Sequence, residues 1–220
     1  MSELIWLIPI TPLLSSVVLM LLAGKFPRAL IAVLGSGSVG ISALVTLFFA
    51  IGFLSNPEPV QITYWTWMQV GNFAPTVAFY LDGLTLVMMS VITGVGFLIH
   101  LFSTEFMEDD VSYARYFAYL NMFVAAMLIL VMADNLLLLY LGWEGVGVCS
   151  YLLVGFWYQN PSNGQAARKA FIVTRIGDTA MALGLFLLFS ELGTLDIQAM
   201  GEAAKTNWVI GDTMPVIACL

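Results

Sequence analysis

The residue whose position most clearly suggests chemistry is Glu144, a lone carboxylate in the apolar run 135–158 (NLLLLYLGWEGVGVCSYLLVGFWY). A helix rises about 1.5 Å per residue, so Glu144 lies near the centre of a hydrocarbon layer about 30 Å thick. A charged side chain there costs about 2.5–3.5 kcal/mol, and such residues typically serve ion pathways, proton relays or buried pairs. Glu144 therefore predicts a site that binds and releases a proton. A structural carboxylic acid bonded to a neighbouring helix is the alternative.

A second pair of polar residues, Arg175 and Asp178, falls within the apolar run 167–189. Their spacing of three residues places them on one helical face. The pair is either a local ion pair that makes both charges tolerable in lipid, or an adjustable partner for Glu144. In the second interpretation the arginine moves between two carboxylates and changes the proton affinity of the one that it leaves.

The remaining titratable candidate is His100, near the end of the third apolar run, because imidazole titrates close to neutral pH. An interfacial structural role accounts for it equally well. Asp82 and Asp134 lie at predicted helix ends, where N-capping accounts for both. The two cysteines, Cys149 and Cys219, lie far apart without a partner spacing, so neither a metal site nor a disulfide is predicted.

The composition around these residues excludes an ordinary soluble globule. Hydrophobic residues make up 60% of the 220-residue chain and charged residues 10%. Long apolar stretches recur along nearly the whole length, which predicts an all-α polytopic membrane protein. The first residues lack a basic segment and contain Glu3, Pro9 and Pro12, so they indicate a first span rather than a cleavable signal peptide. The sequence has neither a basic patch for nucleic acid nor a glycine-rich phosphate loop.

The apolar runs predict six complete transmembrane helices and the start of a seventh. The six cover residues 4–22, 29–54, 81–102, 116–133, 135–158 and 167–189, and the seventh begins in MPVIACL, residues 214–220. A span needs about 20 residues, so we expect this helix to be cut short at Leu220 and the chain to be a fragment. Small residues in the second and fifth spans predict close helix packing, or room for water beside Glu144.

The basic residues predict the orientation of the chain in its membrane. Lys205 lies on one side, and the other six lie in or beside the odd-numbered loops: Lys25, Arg28, Arg115, Arg168, Lys169 and Arg175. The odd-numbered loops are therefore predicted to be cytoplasmic and the N-terminus periplasmic. Of the outer loops, residues 59–82 alternate and are aromatic, which predicts a short periplasmic β-hairpin with a turn at Gly71 and Asn72. Residues 191–212 are polar and predict a short helix.

Three stretches resemble a known family. They are ADNLLLLYLGWEGVGVCSYLLVGFWYQNPSNGQAARKAFIVTRIGD, LDGLTLVMMSVITGVGFLIHLFS and YWTWMQVG. They resemble the family of the largest antiporter-like membrane subunit, subunit L, of bacterial proton-pumping NADH:quinone oxidoreductase, respiratory complex I. The resemblance runs along all 220 residues and covers about the first third of the family's length. WEGVG followed by CSYLLVGFW is specific to this subunit, since sibling subunits and Mrp-type antiporters usually carry a WEL-like variant.

The resemblance implies a role for each candidate residue. Glu144 matches the glutamate of the family's first half-channel, where it forms a couple with a lysine. Asp178 and Arg175 match polar residues of the sixth helix beside it, and His100 matches a histidine near the end of the third helix. The partner lysine, a second central lysine and the long lateral helix all lie beyond Leu220, so we expect this chain alone not to pump.

The resemblance also implies the wider organisation. Residues 1–110 would hold helices 1–3 and the hairpin, and residues 111–220 would begin the first antiporter-like repeat with helices 4–6 and the start of 7. The chain would be a non-redox subunit of an enzyme complex in the bacterial inner membrane. It would hold no cofactor itself, whereas NADH, FMN, iron–sulfur clusters and quinone would be bound elsewhere in the complex. Its partners would be lipid and other membrane subunits, especially the neighbouring antiporter-like subunit.

Two other functions remain open at this point. The chain is alternatively a subunit of an Mrp-type cation/proton antiporter built from the same ancestral helices. It is otherwise an inactive, truncated structural fragment that folds against partner subunits. Peripheral flavin and iron–sulfur subunits would copurify with the complex I protein, whereas small hydrophobic partners alone would copurify with an antiporter.

Overall fold

The computed structural model describes residues 4–22, 24–71 and 73–208. Within them the chain forms seven helices and one two-stranded sheet. In chain order the elements are α1 (Leu7–Leu21), α2 (Arg28–Ser55), β1 (Val60–Thr66), β2 (Thr76–Leu81), α3 (Gly83–Phe106), α4 (Tyr113–Met132), α5 (Leu136–Val154), α6 (Pro161–Leu192) and α7 (Ile197–Asn207). The predicted helical class and the β-hairpin are therefore confirmed.

Five helices, α2 to α6, are long and apolar enough to cross a membrane. The predicted first span is shorter than expected, since α1 has 15 residues and reaches only about 22 Å. Residues 4–6 form turns before it, and Pro12 lies inside it. The prediction of six complete spans thus holds for five helices by length. The predicted start of a seventh span, residues 214–220, lies outside the described residues.

Helix α6 begins six residues before the predicted boundary because its N-terminus is well capped. The Asn160 side chain accepts from the Ser162 amide at 3.1 Å, and Pro161 occupies the first turn, where its missing N–H costs nothing. Arg168 and Lys169 therefore lie inside the helix, not in the preceding loop as predicted. Arg175 likewise lies near the middle of α6 rather than at its beginning.

Helix α4 is the centre of the bundle and packs against α1, α2, α3 and α5. Its fully buried side chains include Phe117, Leu128 and Met132. Helix α6 packs on α5 alone among the long helices, and large apolar side chains of α6 such as Ile176 and Phe186 are exposed. The core therefore sits around α4, and α6 forms one edge of the described chain.

The hairpin covers one end of the bundle. Strands β1 and β2 pair antiparallel from Val60 with Leu81 to Thr66 with Thr76, with a register shift between Thr63 and Trp65. At the predicted turn Gly71 has φ +58°, a conformation that glycine adopts without strain. Asn72, the other predicted turn residue, lies outside the described residues. Strand β2 contacts α3, α4 and α5, so the hairpin is fixed to the helices.

Candidate functional site

The site is built on the facing sides of α5 and α6, which pack against each other. Glu144 lies midway along α5, and Arg175 and Asp178 lie near the middle of α6. Arg175 forms an ion pair with the Glu144 carboxylate and a second with Asp178, its Nη1 lying 3.3 Å from Asp178 Oδ2. One guanidinium thus bridges two carboxylates; we call these three residues the charged triad.

Burial differs across the charged triad. Asp178 is buried, at 5% relative exposure, whereas about a quarter of each of the Arg175 and Glu144 side chains is exposed, 25% and 27%. Among the described long helices, only α5 packs against α6 to an appreciable extent. Two carboxylates and one guanidinium leave one unit of negative charge, which a single proton would neutralise.

Three neighbours hold the charged triad in place. Trp143 donates from its indole Nε1 to Asp178 Oδ1 at 2.8 Å, and the Tyr140 hydroxyl donates to the Asp178 backbone carbonyl at 3.4 Å. The guanidinium of Arg175 lies over the Phe171 ring, with Cζ 4.5 Å from the ring centroid. Asp178 therefore has hydrogen-bond support from α5 in addition to its ion pair with Arg175.

A glycine makes room for the arginine. A Cβ atom on Gly147 would lie 3.3 Å from Arg175 Nη2, which also donates to the Glu144 backbone carbonyl at 3.4 Å. Gly142 serves helix packing instead, since a Cβ there would lie 2.6 Å from the Leu130 backbone nitrogen of α4. The predicted close helix packing is thus found at Gly142, whereas Gly147 makes room for the guanidinium of Arg175. Room for water beside Glu144 stays a prediction.

His100 stands apart from the charged triad. Its ring is buried in α3, with Nδ1 2.7 Å from the Gly96 carbonyl and the Phe117 ring centroid 6.1 Å away. Its Nε2 has no hydrogen-bond partner among the described residues, and no ion pair or hydrogen bond there joins it to the charged triad. The structure thus brings together three of the four predicted residues.

Sequence reasoning missed Trp143 and Tyr140. Both lie on α5 beside Glu144, and the adjacent tryptophan of the WEGVG stretch was the available signal. Asp82 caps α3 as predicted, accepting from the Thr85 amide at 2.8 Å. Asp134 does not cap α5, because Asn135 occupies that position and accepts from the Leu138 amide. The Asp134 carboxyl accepts instead from Gln61 of β1 at 2.8 Å.

Two family models match the chain. The model described as NADH:quinone oxidoreductase/Mrp antiporter, TM, matches residues 133–219, which include the whole charged triad. The model described as NADH-Ubiquinone oxidoreductase (complex I), chain 5 N-terminus, matches residues 67–117. Neither match extends to residues 1–66.

Curated relatives decide between the members of this group. NADH-quinone oxidoreductase subunit L of Escherichia coli (strain K12) is 50% identical over 212 residues, which are 96% of this chain and 35% of that protein. The protein of the same name from Pseudomonas aeruginosa is 48% identical over 220 residues, with 97% and 36% covered. The chain belongs to the NADH-quinone oxidoreductase subunit L family. It spans about a third of the length of these relatives.

Solved structures share the fold at lower identity. A chain of the membrane-bound sulfane sulfur reductase, an archaeal respiratory membrane complex, gives a TM-score of 0.80 at 17% identity. The match covers 98% of this chain and 42% of that one. A chain of the Mrp complex from Dietzia sp. gives 0.77 at 20% identity, with 97% and 22% covered. The subunit L helices thus have the arrangement found in both complexes.

Proposed function

We propose that this chain carries part of a proton-translocating half-channel in the membrane arm of NADH:quinone oxidoreductase, coupled to quinone reduction elsewhere in the complex. The observation that carries the proposal is the charged triad, in which Arg175 bridges Glu144 and Asp178 at the middle of two packed apolar helices. Charges at such a depth are costly, and pathways and relays are their usual purpose. The match to subunit L supports the coupling to quinone reduction.

The charged triad suggests how the proton is held and released. When Arg175 pairs with Asp178, Glu144 loses its countercharge and binds a proton. When Arg175 pairs with Glu144, that carboxylate is stabilised as an anion and gives its proton up. The Trp143 hydrogen bond to Asp178 keeps the second carboxylate in place in both states. His100 would serve a separate step on the proton path, since its Nε2 is buried and free to accept among the described residues.

The organisation of the chain follows the same proposal. Residues 1–110 would form a region of helices 1–3 with the hairpin, and residues 111–220 would begin the first antiporter-like repeat. The two family-model matches, at residues 67–117 and 133–219, fall largely on either side of this division. Helix α1, although short, would also cross the membrane and bring the number of spans to six. The aromatic hairpin lies close to it, since both line one cavity.

We also propose the orientation and location. The chain would be a multi-pass protein of the bacterial inner membrane with a periplasmic N-terminus. The hairpin, the α4–α5 loop and α7 would then be periplasmic, and the basic side chains at the other end would be cytoplasmic. Five of the seven basic residues support this assignment. Arg175 lies near the middle of α6 and gives no preference, and Lys205 on α7 is the exception.

Electron transfer would take place in other subunits. Iron–sulfur clusters need sets of cysteine thiolates, and this chain has two cysteines far apart in sequence. NADH, FMN, the clusters and quinone would therefore be bound elsewhere in the complex, and the isolated chain would not be catalytic. Its partners would be lipid and the neighbouring membrane subunits, above all the adjacent antiporter-like subunit.

A second candidate, a subunit of an Mrp-type cation/proton antiporter, is favoured by one observation. The family model matching residues 133–219 names both groups in its description. The 50% identity to a protein named subunit L favours the first candidate. An inactive structural fragment is the third possibility, which the assay below also tests.

The experiment measures proton uptake driven by NADH oxidation and sodium-driven proton exchange in membrane vesicles. It compares vesicles from cells that lack the gene with vesicles from cells that carry the complete parent protein. We expect the parent protein to restore proton uptake driven by NADH oxidation and to copurify with flavin and iron–sulfur subunits. Restored sodium-driven proton exchange, with only small hydrophobic partners, would instead establish the antiporter. Restoration of neither movement would favour the structural role.

A further inference from the structure

A second group of titratable residues lies outside the membrane-spanning helices, where three segments of the chain meet. The Asp134 amide donates to the Ala78 carbonyl of β2 at 3.2 Å. On the other side the Leu136 amide donates to the Leu195 carbonyl at 2.9 Å, and the Ile197 amide donates to the Asp134 carbonyl at 3.1 Å. The α4–α5 loop is thus bonded to the hairpin on one side and to the start of α7 on the other. We call this arrangement the three-segment junction.

The three-segment junction buries an acid that lacks a full set of partners. Asp134 is 2% exposed, and its Oδ2 accepts from the Gln61 amide at 2.8 Å. Its Oδ1 is buried and has no hydrogen-bond donor among the described residues. A buried carboxylate oxygen without a donor is costly, and a proton on that carboxyl group removes the cost.

A second carboxyl group lies against the first. Asp196 caps α7, accepting from the Ala199 amide at 2.8 Å through Oδ1, and its backbone pairs with Asn135. The Asn135–Asp196 backbone pairing and the bond from the Ile197 amide to the Asp134 carbonyl bring Asp196 next to Asp134. The groups facing Asp134 are thus the Gln61 amide from β1, the Ala78 backbone from β2 and the Asp196 carboxyl before α7. No basic side chain among the described residues pairs with either acid.

We propose that Asp134 and Asp196 bind one proton between them, and that this proton fastens the α4–α5 loop to the start of α7. With one proton, one carboxyl donates to the other and the pair carries one negative charge. Without it, two carboxylates repel each other across the three-segment junction. The O–H bond that breaks releases its proton to water through Asp196, which lines a cavity of about 190 Å³ together with Thr194 and Asn135.

The direction of the pH dependence follows from the surroundings. Burial, first, and then the neighbouring Asp196 raise the pKa of Asp134 above its usual value, while the Gln61 hydrogen bond opposes them. A raised carboxyl pKa means that the folded junction holds the proton more tightly than the opened one. The proton's contribution is therefore complete at low pH and is lost as pH rises through the raised pKa.

The test is hydrogen exchange in the complete parent complex, measured on peptides that contain the Leu136 and Ile197 amides. After correction for intrinsic exchange, we expect opening of the three-segment junction to increase with pH by up to about tenfold per pH unit, the limit for release of one proton. Asp134→Asn should remove that dependence, because the amide donates like the neutral acid. Asp82→Asn is the control, since Asp82 is another aspartate beside the hairpin, where it caps α3 outside the three-segment junction, and should leave the dependence intact.

An infrared measurement keeps the proposal testable if one variant fails to assemble. We expect a protonated-carboxyl band that both Asp134→Asn and Asp196→Asn remove or shift. A band that depends on Asp134 and is unaffected by Asp196→Asn would show an isolated buried acid and overturn the shared proton. If hydrogen exchange in the parent complex is as independent of pH as in Asp134→Asn, the proton does not hold the α4–α5 loop to the start of α7, and the proposal is wrong. Neither readout depends on proton pumping, so the result is separate from the fate of the half-channel proposal.

Discussion

Each residue of the charged triad has a different part in the proposed proton transfer. Glu144 is partly exposed at the edge of the chain, Asp178 is buried and held by Trp143, and Arg175 contacts both. In the proposed transfer, Asp178 would be the fixed partner of Arg175, and Glu144 would be the group that exchanges its proton. Substitutions at the two acids should therefore have distinguishable effects.

Glu144→Gln should separate proton transfer from assembly. Glutamine keeps the shape and can still accept from Arg175, but it cannot bind and release a proton. In the complete complex we expect proton uptake per NADH oxidised to fall several-fold while the amount of assembled complex stays near that of the parent. Glu202→Gln, at an exposed site on α7, is the control and should pump normally. Normal pumping by Glu144→Gln at every pH tested would leave Glu144 a packing residue.

Asp178→Asn tests whether Arg175 is an adjustable partner. The substitution removes the competitor for the guanidinium, so the pH at which the Glu144 carboxyl titrates should change. The measurement is an infrared titration of that carboxyl in the assembled complex, with Glu144→Gln identifying its band. An unchanged titration in a well-assembled variant would exclude the switch. Loss of assembly alone would indicate an ion pair that only makes Arg175 tolerable in the membrane.

The sequence alone identified the charged residues of the site better than the neighbours that hold them in place. Glu144, Arg175 and Asp178 were predictable because charges inside apolar runs are rare, and a three-residue spacing fixes a helical face. Trp143 was not predicted, because a tryptophan in an apolar run has many uses and its indole partner lies on another helix. Asp134 was assigned to the wrong role, since both Asp134 and Asn135 can cap a helix and only the fold shows which does.

At the scale of the elements, local capping sets the N-terminal boundary of α6, which determines where Arg175 lies along that helix. Helix α6 begins earlier than predicted because Asn160 and Pro161 form its N-terminal cap and first turn. Arg175, predicted near the beginning of this helix, therefore lies near its middle. The apolar pattern alone could not show this, because the first turns of α6 are polar. The opposite error occurred at α1, where an apolar run of adequate length gives a helix of 15 residues.

The contact of α5 with α4 yields a stability prediction. A side chain at Gly142 would meet the backbone of Leu130, which can move little. We expect Gly142→Ala to destabilise the subunit by about 1–3 kcal/mol, the usual range for overpacking. Thermal unfolding of the purified complex measures the effect. Gly37→Ala in α2 is the matched control, because a Cβ there meets nothing within 4 Å. Equal stability of the two variants would contradict the close approach of α5 and α4.

At the scale of the whole molecule, the proposed orientation can be tested with cysteine labelling. Ser162 at the start of α6 and Thr206 on α7 are both exposed and lie on opposite sides in the proposed topology. In intact cells expressing the complete parent protein, we expect Thr206→Cys to react with an impermeant thiol reagent. Ser162→Cys should react only after the membrane is opened. The parent protein supplies the background, and buried Cys149 should add little to it. The reverse pattern would invert the topology.

Helices α5 and α6 are tied to each other at both ends. At one end the Leu136 amide of α5 donates to the Leu195 carbonyl just after α6. At the other, the short connection 155–160 is held by Asn163, which donates to the Trp157 carbonyl at 3.2 Å, while the Trp157 indole donates to Asp110 at 2.9 Å. In the proposed switch the guanidinium would therefore change partners by rotation of its own side chain while the helices stay in place. Exposed side chains change rotamer within nanoseconds, whereas collective movements of helices take microseconds to milliseconds. A partner change at the partly exposed Arg175 would thus be faster than any step of the complex that moves whole helices.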